Sequence, residues 1–261
     1  MVTVVILTMG YPKKIVDSLR LQTYRDFEVI FAQEKGIVNA MNRALAKAKG
    51  DIFVRIDDDV ELPPHWLENL VEPFFKDPLV AGTTGPTWVP QELRKNRDSI
   101  WWAENPTGIL KWLYDDNEFR PGGIRKCGCV SYDSNFQERF SFRGFEWQCI
   151  PDHLEGTNWA MRTALIRKVG GFDHKFDGVA EWFDTDVEQK IRKLGFKFIY
   201  NPRAYLFHML EKGNHFNDRF EGLGRIKNWL RYHIRHSKFH PKMIVFLLIW
   251  IGYFVWKRFR S

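Results

Sequence analysis

The sequence predicts an α/β protein built on a mostly parallel sheet. Strand and helix signals alternate through the first eighty residues, and the same rhythm resumes near residue 155 after an irregular, tryptophan-rich stretch. Such alternation makes β-α-β units, whose parallel strands are covered by helices on their faces. A chain of 261 residues suits one such domain with an elaboration.

In order, the signals are a strand at 2–8, a helix from about 12 to 22, a strand at 27–32, a helix at 37–48, a strand at 51–57, a helix at 64–75 and a strand at 79–83. The amino-terminal run Val2 to Thr8 is apolar but has no basic leader or small-residue cleavage site, so it reads as a first strand. Pro12 and Pro64 suit first-turn positions of helices, where the missing amide donor costs nothing. Ile37, Val38, Met41, Ala44, Leu45 and Ala48 form one apolar helical face, and Gly50 supplies the stop.

The third strand, Ile52-Phe53-Val54-Arg55-Ile56, closes on three consecutive carboxylates, Asp57, Asp58 and Asp59, and Val60 to Pro64 reads as a turn into the next helix. Adjacent like charges repel by about 1 kcal/mol per pair in water and about 4 where the effective dielectric is near 20. A cation is therefore expected among them. Extended backbone puts Asp57 and Asp59 on one face, able to address one ion, with Asp58 pointing elsewhere. The plainer reading is an Asp-rich turn at a strand end. Parallel sheets bind ligands at the carboxyl ends of their strands, where this cluster stands.

Residues 85–150 lose the periodicity and read as a substrate-side insertion, with Trp88, Trp101, Trp102, Trp112 and Trp147 scattered among charges. The 22 Phe, 11 Trp and 8 Tyr of the chain imply an aromatic-walled cleft, membrane-facing surface, or both. Regularity returns with Gly156 to Arg162, a helix to Val169 and the turn Gly170-Gly171-Phe172-Asp173. A further helix follows Glu181-Trp182-Phe183-Asp184-Thr185-Asp186, with Val187, Ile191 and Leu194 on its buried side and a stop at Gly195. Strand signals at 196–200 and 203–208 lead to His208. Asp184 and Asp186 precede or open a helix, where capping is the simple role. If the segment of Asp184 returns to the sheet edge of Asp59, one carboxylate can bind metal while the other acts as a general base. An imidazole such as that of His208 beside an Asp suits Mn2+ or a similar ion.

Three cysteines, Cys127, Cys129 and Cys149, are too few for a disulfide framework and favour a reducing, cytoplasmic setting. With His153 they could bind zinc, although Cys-x-Cys is tighter than the usual hook; free thiols are the alternative. The net charge of +7 belongs to the tail: residues 1–210 carry 28 Lys and Arg against 29 Asp and Glu, and residues 211–261 carry 11 against 3. At 220–234, Phe220, Leu223, Ile226, Trp229, Leu230 and Ile234 fall on one helical face, with Arg225, Lys227, Arg231 and Arg235 elsewhere. Met243 to Trp256 then carries no charge. As a helix it reaches about 21 Å, short of the roughly 30 Å hydrocarbon core. A monotopic anchor on the cytoplasmic leaflet is expected, with an intersubunit helix as the alternative.

The order of these elements resembles the family 2 glycosyltransferases, of GT-A fold, over roughly residues 2–84 and 155–240. The signals are the strand Val2 to Thr8, the phrase Leu21-Gln22-Thr23-Tyr24-Arg25-Asp26-Phe27-Glu28-Val29-Ile30, Gly36 to Ala44, Ala48-Lys49-Gly50-Asp51, the Asp-x-Asp of Asp57 and Asp59 with Pro64 downstream, Gly156-Thr157-Asn158, Phe183-Asp184-Thr185-Asp186 and the late His208. The resemblance implies a Rossmann-like GT-A catalytic domain over 1–215, and the tail's own pattern adds a helical, membrane-associating segment over 216–261. It implies inverting transfer of a sugar from a nucleoside-diphosphate sugar to a hydroxyl of a glycan or lipid-linked acceptor at the membrane surface, dependent on Mn2+ or Mg2+. Asp59 and His208 would hold the metal, Asp184 would be the base, and Thr8, Glu34, Asn39, Asn42, Asp57 and Asp58 would line the donor site. This sequence departs from the family in the short loop Phe31 to Gly36, where Glu34 stands in for an Asp-rich segment, in Asn39 where Asp is common, and in Phe183 where Glu is usual.

Two rival readings share these features. A polyprenyl-phosphate sugar synthase uses an acceptor that is already ionised and needs no base. A binding module could hold nucleic acid through the basic tail, but the uninterrupted apolar run argues against a nucleic-acid partner. The sequence carries no signal of oligomeric state.

Overall fold

The computed structural model of the chain describes residues 1–10, 12–90, 108–114, 123–129, 150–176, 178, 181–209 and 222–258. Its strands are β1 (Val2–Leu7), β2 (Phe27–Ala32), β3 (Ile52–Asp57), β4 (Val60–Glu61), β5 (Val80–Thr84), β6 (Thr87–Trp88), β7 (Asn158–Arg162), β8 (Lys197–Tyr200) and β9 (Leu206–His208). The helices are α1 (Lys13–Arg20), α2 (Ile37–Lys47), α3 (Trp66–Lys76), α4 (Gly108–Tyr114), α5 (Thr163–Lys168), α6 (Phe183–Arg192), α7 (Gly222–His236) and α8 (Pro241–Arg258), and a 3-10 turn spans His174–Phe176.

Six strands form the main sheet in the order β2-β1-β3-β7-β5-β8. β1 pairs parallel with both β2 and β3, and β5 parallel with β8, while β7 runs antiparallel to both β3 and β5. The sheet is thus mostly parallel with one reversed central strand. That strand falls where the sequence offered only an approach to a helix, and the helix itself is confined to Thr163–Lys168. Because β7 starts at the carboxyl edge of β3, with Asn158 opposite Ile56, Gly156 and Thr157 enter the sheet beside the carboxylates.

Alternation along the strands splits the core. Val2, Val4, Ile6, Ile52, Val54 and Ile56 pack on α1 and α3, while Val5, Leu7, Phe53, Trp159 and Met161 face the layer containing α2, α5 and α6. The whole expected face of α2 is buried. Gly50 does more than stop that helix: a β-carbon there would stand 2.4 Å from the Thr3 amide nitrogen, so the chain crosses β1 too closely for any side chain. Gln22, in the Leu21-to-Ile30 phrase, is fully buried; its amide donates to Ser18 and Pro63 carbonyls and its oxygen accepts from the Leu67 amide, clasping α1 to the start of α3.

Several boundaries differ from the expectation. Pro12 is the residue before α1, and Pro64 lies ahead of its helix, with His65 immediately before Trp66. The segment after the carboxylates is not only a turn, for β4 joins β9 and β6 in a second, three-stranded sheet. Strands of two residues are too short to leave a periodic signal. Leu194, expected on the buried side, is 44% exposed, because Leu194 lies beyond the end of α6.

The tail packs on the domain. Ile226, Trp229, Tyr232 and His233 of α7 are buried, whereas Leu230 and Ile234, expected on the same face, point outward. Phe220 and the side chain of Leu223 lie outside the described residues. The expected basic face is partly spent within the chain: Arg225 pairs with Glu181 at 2.8 Å, Arg231 donates to the Lys175 carbonyl, and Arg235 reaches Asp173 and Asp186 at 2.8 and 3.2 Å. Met243 and Phe246 of α8 close a small core with Trp229, Leu113 and Cys127. Among the described residues no helix is long and apolar enough to cross a membrane. Trp101, Trp102, Trp147 and Cys149 lie outside the described residues.

Candidate active site

Asp57 ends β3, and the turn through Asp58 and Asp59 runs straight into β4. β4 pairs with β9 so that Val60 stands opposite His208, and the Met209 amide donates to the Asp59 carbonyl at 2.8 Å. The small second sheet therefore carries His208 to the carboxylates from more than a hundred residues away. His208 Nε2 lies 3.1 Å from Asp59 Oδ1. One donor atom each from Asp57, Asp59 and His208 fall within 4.8 Å of one another. Two partly buried carboxylates and a buried imidazole fit a hard-to-borderline divalent cation.

Part of the expected cation is the protein's own. Arg55 is 3% exposed; its Nη2 donates to Asp57 Oδ1 at 2.8 Å, and its Nη1 lies 3.8 Å from Asp184 Oδ2. Arg55 precedes Asp57 by two residues on the strand, which puts both side chains on one face. Its guanidinium also lies 5.9 Å from the centre of the Phe183 ring. A buried cation bridging two carboxylates stabilises the ionised form of each, and losing it would strand both charges. Sequence reasoning passed over Arg55, although a single charge inside Ile52-to-Ile56 was the available signal.

Asp184 sits in the first turn of α6, 5% exposed, inside the helix whose N-cap position is held by Trp182. Its Oδ1 accepts from the Thr185 amide at 2.9 Å. The helix begins after Trp182, which has φ 71° in the left-handed region and whose ring stacks on Tyr232 at 4.6 Å and meets His233 edge-on at 5.1 Å. Such a conformation costs a non-glycine residue about 1–2 kcal/mol, offset here by packing against α7. Gly156 faces the pair: a β-carbon there would be 3.3 Å from Arg55 Nη1 and 3.8 Å from Asp184 Oδ2, so glycine keeps the approach to the carboxylate clear. The carboxylate triad and Asp184 thus share one sheet edge, with Arg55 between them.

Behind Asp184 lies a second buried group. Donor atoms of His153, Asp184 and Glu188 fall within 4.8 Å of one another. Burial opposes charge on His153, but the Glu188 carboxylate overrides it and raises the imidazole's pKa; burial raises Glu188 as well, against the pull of His153. Among the described residues His153 therefore groups with acids, and Cys149 lies outside them. Among the described residues Cys127 and Cys129 join no metal-binding group.

The expected donor-site residues divide. Thr8 is buried at the end of β1, caps the turn to Gly10, and gives its hydroxyl to Asp58, whose pKa burial and the adjoining Asp59 and Asp57 push upward. Glu34 pairs with Arg43 at 3.5 Å, and Asn39 is exposed on α2. Asn42 is otherwise engaged: its amide donates to the Phe172 carbonyl at 2.8 Å and its oxygen accepts from the Phe172 amide at 3.0 Å. It ties α2 to the turn at Gly171. Asp186 is not a cap; fully buried, it meets Lys190, His236 and Arg235 at 2.6, 2.8 and 3.2 Å.

A mostly parallel, Rossmann-like sheet with carboxylates and an imidazole gathered at this edge is the architecture of a GT-A type of fold. The family Glycosyl transferase family 2 matches residues 11–132. A glucosyl-dolichyl phosphate glucuronosyltransferase of Haloferax volcanii is 29% identical over 192 residues, covering 68% of this chain and 49% of that protein. The chain thus spans about half the length of that curated relative. Among solved structures, GalNAc-T7 with UDP, GalNAc and Mn2+ superposes with a TM-score of 0.61 at 16% identity, over 90% of this chain and 47% of the other. The mannosyltransferase PcManGT from Pyrobaculum calidifontis, with GDP-Man and Mn2+, gives 0.52 at 18%, over 94% and 67%. The chain has the GT-A fold, and its amino-terminal part is similar to the family 2 glycosyltransferases.

Proposed function

We propose that the chain is a divalent-metal-dependent, inverting glycosyltransferase that moves a sugar from a nucleoside diphosphate to a hydroxyl of a lipid-linked or glycan acceptor at a membrane surface. One observation carries the reading: the Asp57, Asp59 and His208 donor group stands beside a separate buried carboxylate, Asp184, with Arg55 bridging Asp57 to Asp184. Asp59 and His208 would hold Mn2+ or Mg2+, which when bound offsets negative charge building on the departing diphosphate. Asp57, anchored by Arg55, positions the donor, and Asp58 with Thr8 shapes the adjoining wall. Asp184 accepts the acceptor's hydroxyl proton as that oxygen attacks the anomeric carbon from the face opposite the leaving group. The Haloferax volcanii relative is named for a glucosyl-dolichyl phosphate, a sugar already joined to a lipid phosphate, which supports a hydroxyl acceptor on a lipid-linked sugar.

The surface of α8 supports the membrane setting. Ile244, Leu248, Ile251 and Val255 are all exposed and recur at four, three and four residues, an outward apolar stripe opposite the docked Met243 and Phe246. With Tyr253 and Trp256 also exposed, the helix suits a place in the interfacial plane of the cytoplasmic leaflet.

A panel of UDP- and GDP-sugars with Mn2+, read by nucleoside diphosphate release and thermal shift, tests the donor. Asp59→Asn is expected to lower turnover at least about a hundredfold; near-normal activity would remove the metal assignment. Asp184→Asn should be nearly inactive on a hydroxyl acceptor, whereas full activity on a lipid phosphate would favour a polyprenyl-phosphate sugar synthase. Residues 1–240 should lose sedimentation with anionic vesicles; retained binding rules out the α8 anchor.

A further inference from the structure

The buried group behind Asp184 has no part in the reaction as described above. We propose that His153 is a positioning residue for Asp184, acting through the Thr185 hydroxyl and itself held by Glu188. The inference rests on Asp184 being the proton acceptor.

His153 Nδ1 is 2.7 Å from Thr185 Oγ1, and Thr185 Oγ1 is 3.4 Å from Asp184 Oδ1. With the ring protonated, Nδ1–H donates to Thr185 Oγ1, which leaves the hydroxyl hydrogen to point at Asp184 Oδ1. The Thr185 amide donates to that same oxygen at 2.9 Å. Two donors from one residue therefore occupy Oδ1 and fix the carboxylate's rotation. Oδ2 is left toward Gly156 and Arg55, the side from which an acceptor can approach.

Glu188 supplies the reason for the ring to be charged. It is fully buried, its Oε2 lies 3.6 Å from His153 Nδ1 and accepts from the Leu154 amide at 3.0 Å, and its Oε1 has no hydrogen-bond partner. A fully buried carboxylate with an unpartnered oxygen is expensive unless a cation balances it. Among the described residues, Asp184, on the same helix as Glu188, and Glu155 from the loop before β7 also act on the ring. Arg192 and Tyr232 face Glu188. Arg55 is shared between Asp57 and Asp184. The His153 position is thus surrounded mainly by acids, and protonation of the ring balances them.

The test uses the full chain, with Mn2+ and whichever donor of the nucleotide-sugar panel turns over. His153→Gln and Thr185→Val are expected to lower kcat about tenfold or more while the donor KM stays within about twofold, since orientation of a reacting group and not donor binding is lost. The acid limb of the kcat/KM profile should move to higher pH in His153→Gln, as a cation beside the base has gone. Thr185→Ser, which keeps the hydroxyl, should retain more activity than Thr185→Val. In the free protein, NMR of the His153 ring should show a titration midpoint above its ordinary 6.5, falling in Glu188→Gln. UDP and GDP binding with Mn2+, by calorimetry, serves as the folding control, and if His153→Gln does not fold, the Thr185→Val and Thr185→Ser pair decides. Wild-type kcat and pH profile in His153→Gln, with Asp184→Asn inactive, would overturn the His153 role and leave the base in place. Full activity of Asp184→Asn on a hydroxyl acceptor would overturn both.

Discussion

Replacing Asp186 with Asn should loosen the joint between α6, which carries Asp184, and the tail helix α7. The carboxylate is fully buried, which by itself disfavours its charge. Bonds from His236, then Lys190 and Arg235, outweigh that cost and draw its pKa from 3.8 down to about 2. At 1.36 kcal/mol per unit the full shift corresponds to about 2.5 kcal/mol. Lys190 and Arg235 remain 32% and 31% exposed, so solvent screening reduces the expected loss to about 1.5–2 kcal/mol. Because the folded pKa lies below the unfolded one, the contribution is complete above about pH 4 and disappears as pH falls through about 2. At pH 3 roughly half should remain. Urea unfolding of the wild type and Asp186→Asn at pH 7 and pH 3 measures both numbers. Equal stability at pH 7, or a difference undiminished at pH 3, would refute the ion-pair account of the joint.

Arg55→Leu leaves Asp57 and Asp184 without their shared cation, and should cost about 3 kcal/mol of stability by thermal or urea unfolding together with most of the turnover; unchanged stability would mean that the bridge contributes nothing. Arg55→Lys should recover only part, because one ammonium cannot reproduce a fork that spans two carboxylates. His233, buried between Trp229 and Tyr232 and bonded to the Gly128 carbonyl and Ser237, has its pKa pushed down to about 4 by burial. The unfolded chain takes up that proton first, so the stability it supplies is present above about pH 6.5 and lost as pH falls to about 4. Melting temperatures from pH 7.5 to 4.5 should fall more steeply in the wild type than in His233→Asn; parallel curves would exclude His233 as the source.

The strand and helix order was legible because long periodic segments report their own burial: Val2 to Thr8, the α2 face and the strand ending at Asp57 all fall where the pattern put them, within a residue or two. The site was half legible. Asp57, Asp59 and His208 were expected together and their donor atoms meet, but the device that joins them, a strand of two residues paired to one of three, has no sequence period. Asn42 shows the opposite case. An amide on a helix beside a presumed donor site looks available in sequence, and only the fold reveals that the Phe172 backbone takes both of its polar atoms.

By itself the sequence determined the α/β class and the sheet edge where the carboxylates concentrate charge, because period and local charge are properties of neighbours along the chain. The tertiary structure decided everything that depends on pairing distant segments: the reversal of β7, the Arg55 bridge to Asp184, the company of His153, and the use of the tail's Arg235 to bind both Asp186 and Asp173. Charges that read as a solvent-facing surface in one dimension became internal partners in three. The physical reason is that a buried charge must find its opposite wherever the fold brings one, and that partner is seldom nearby in sequence.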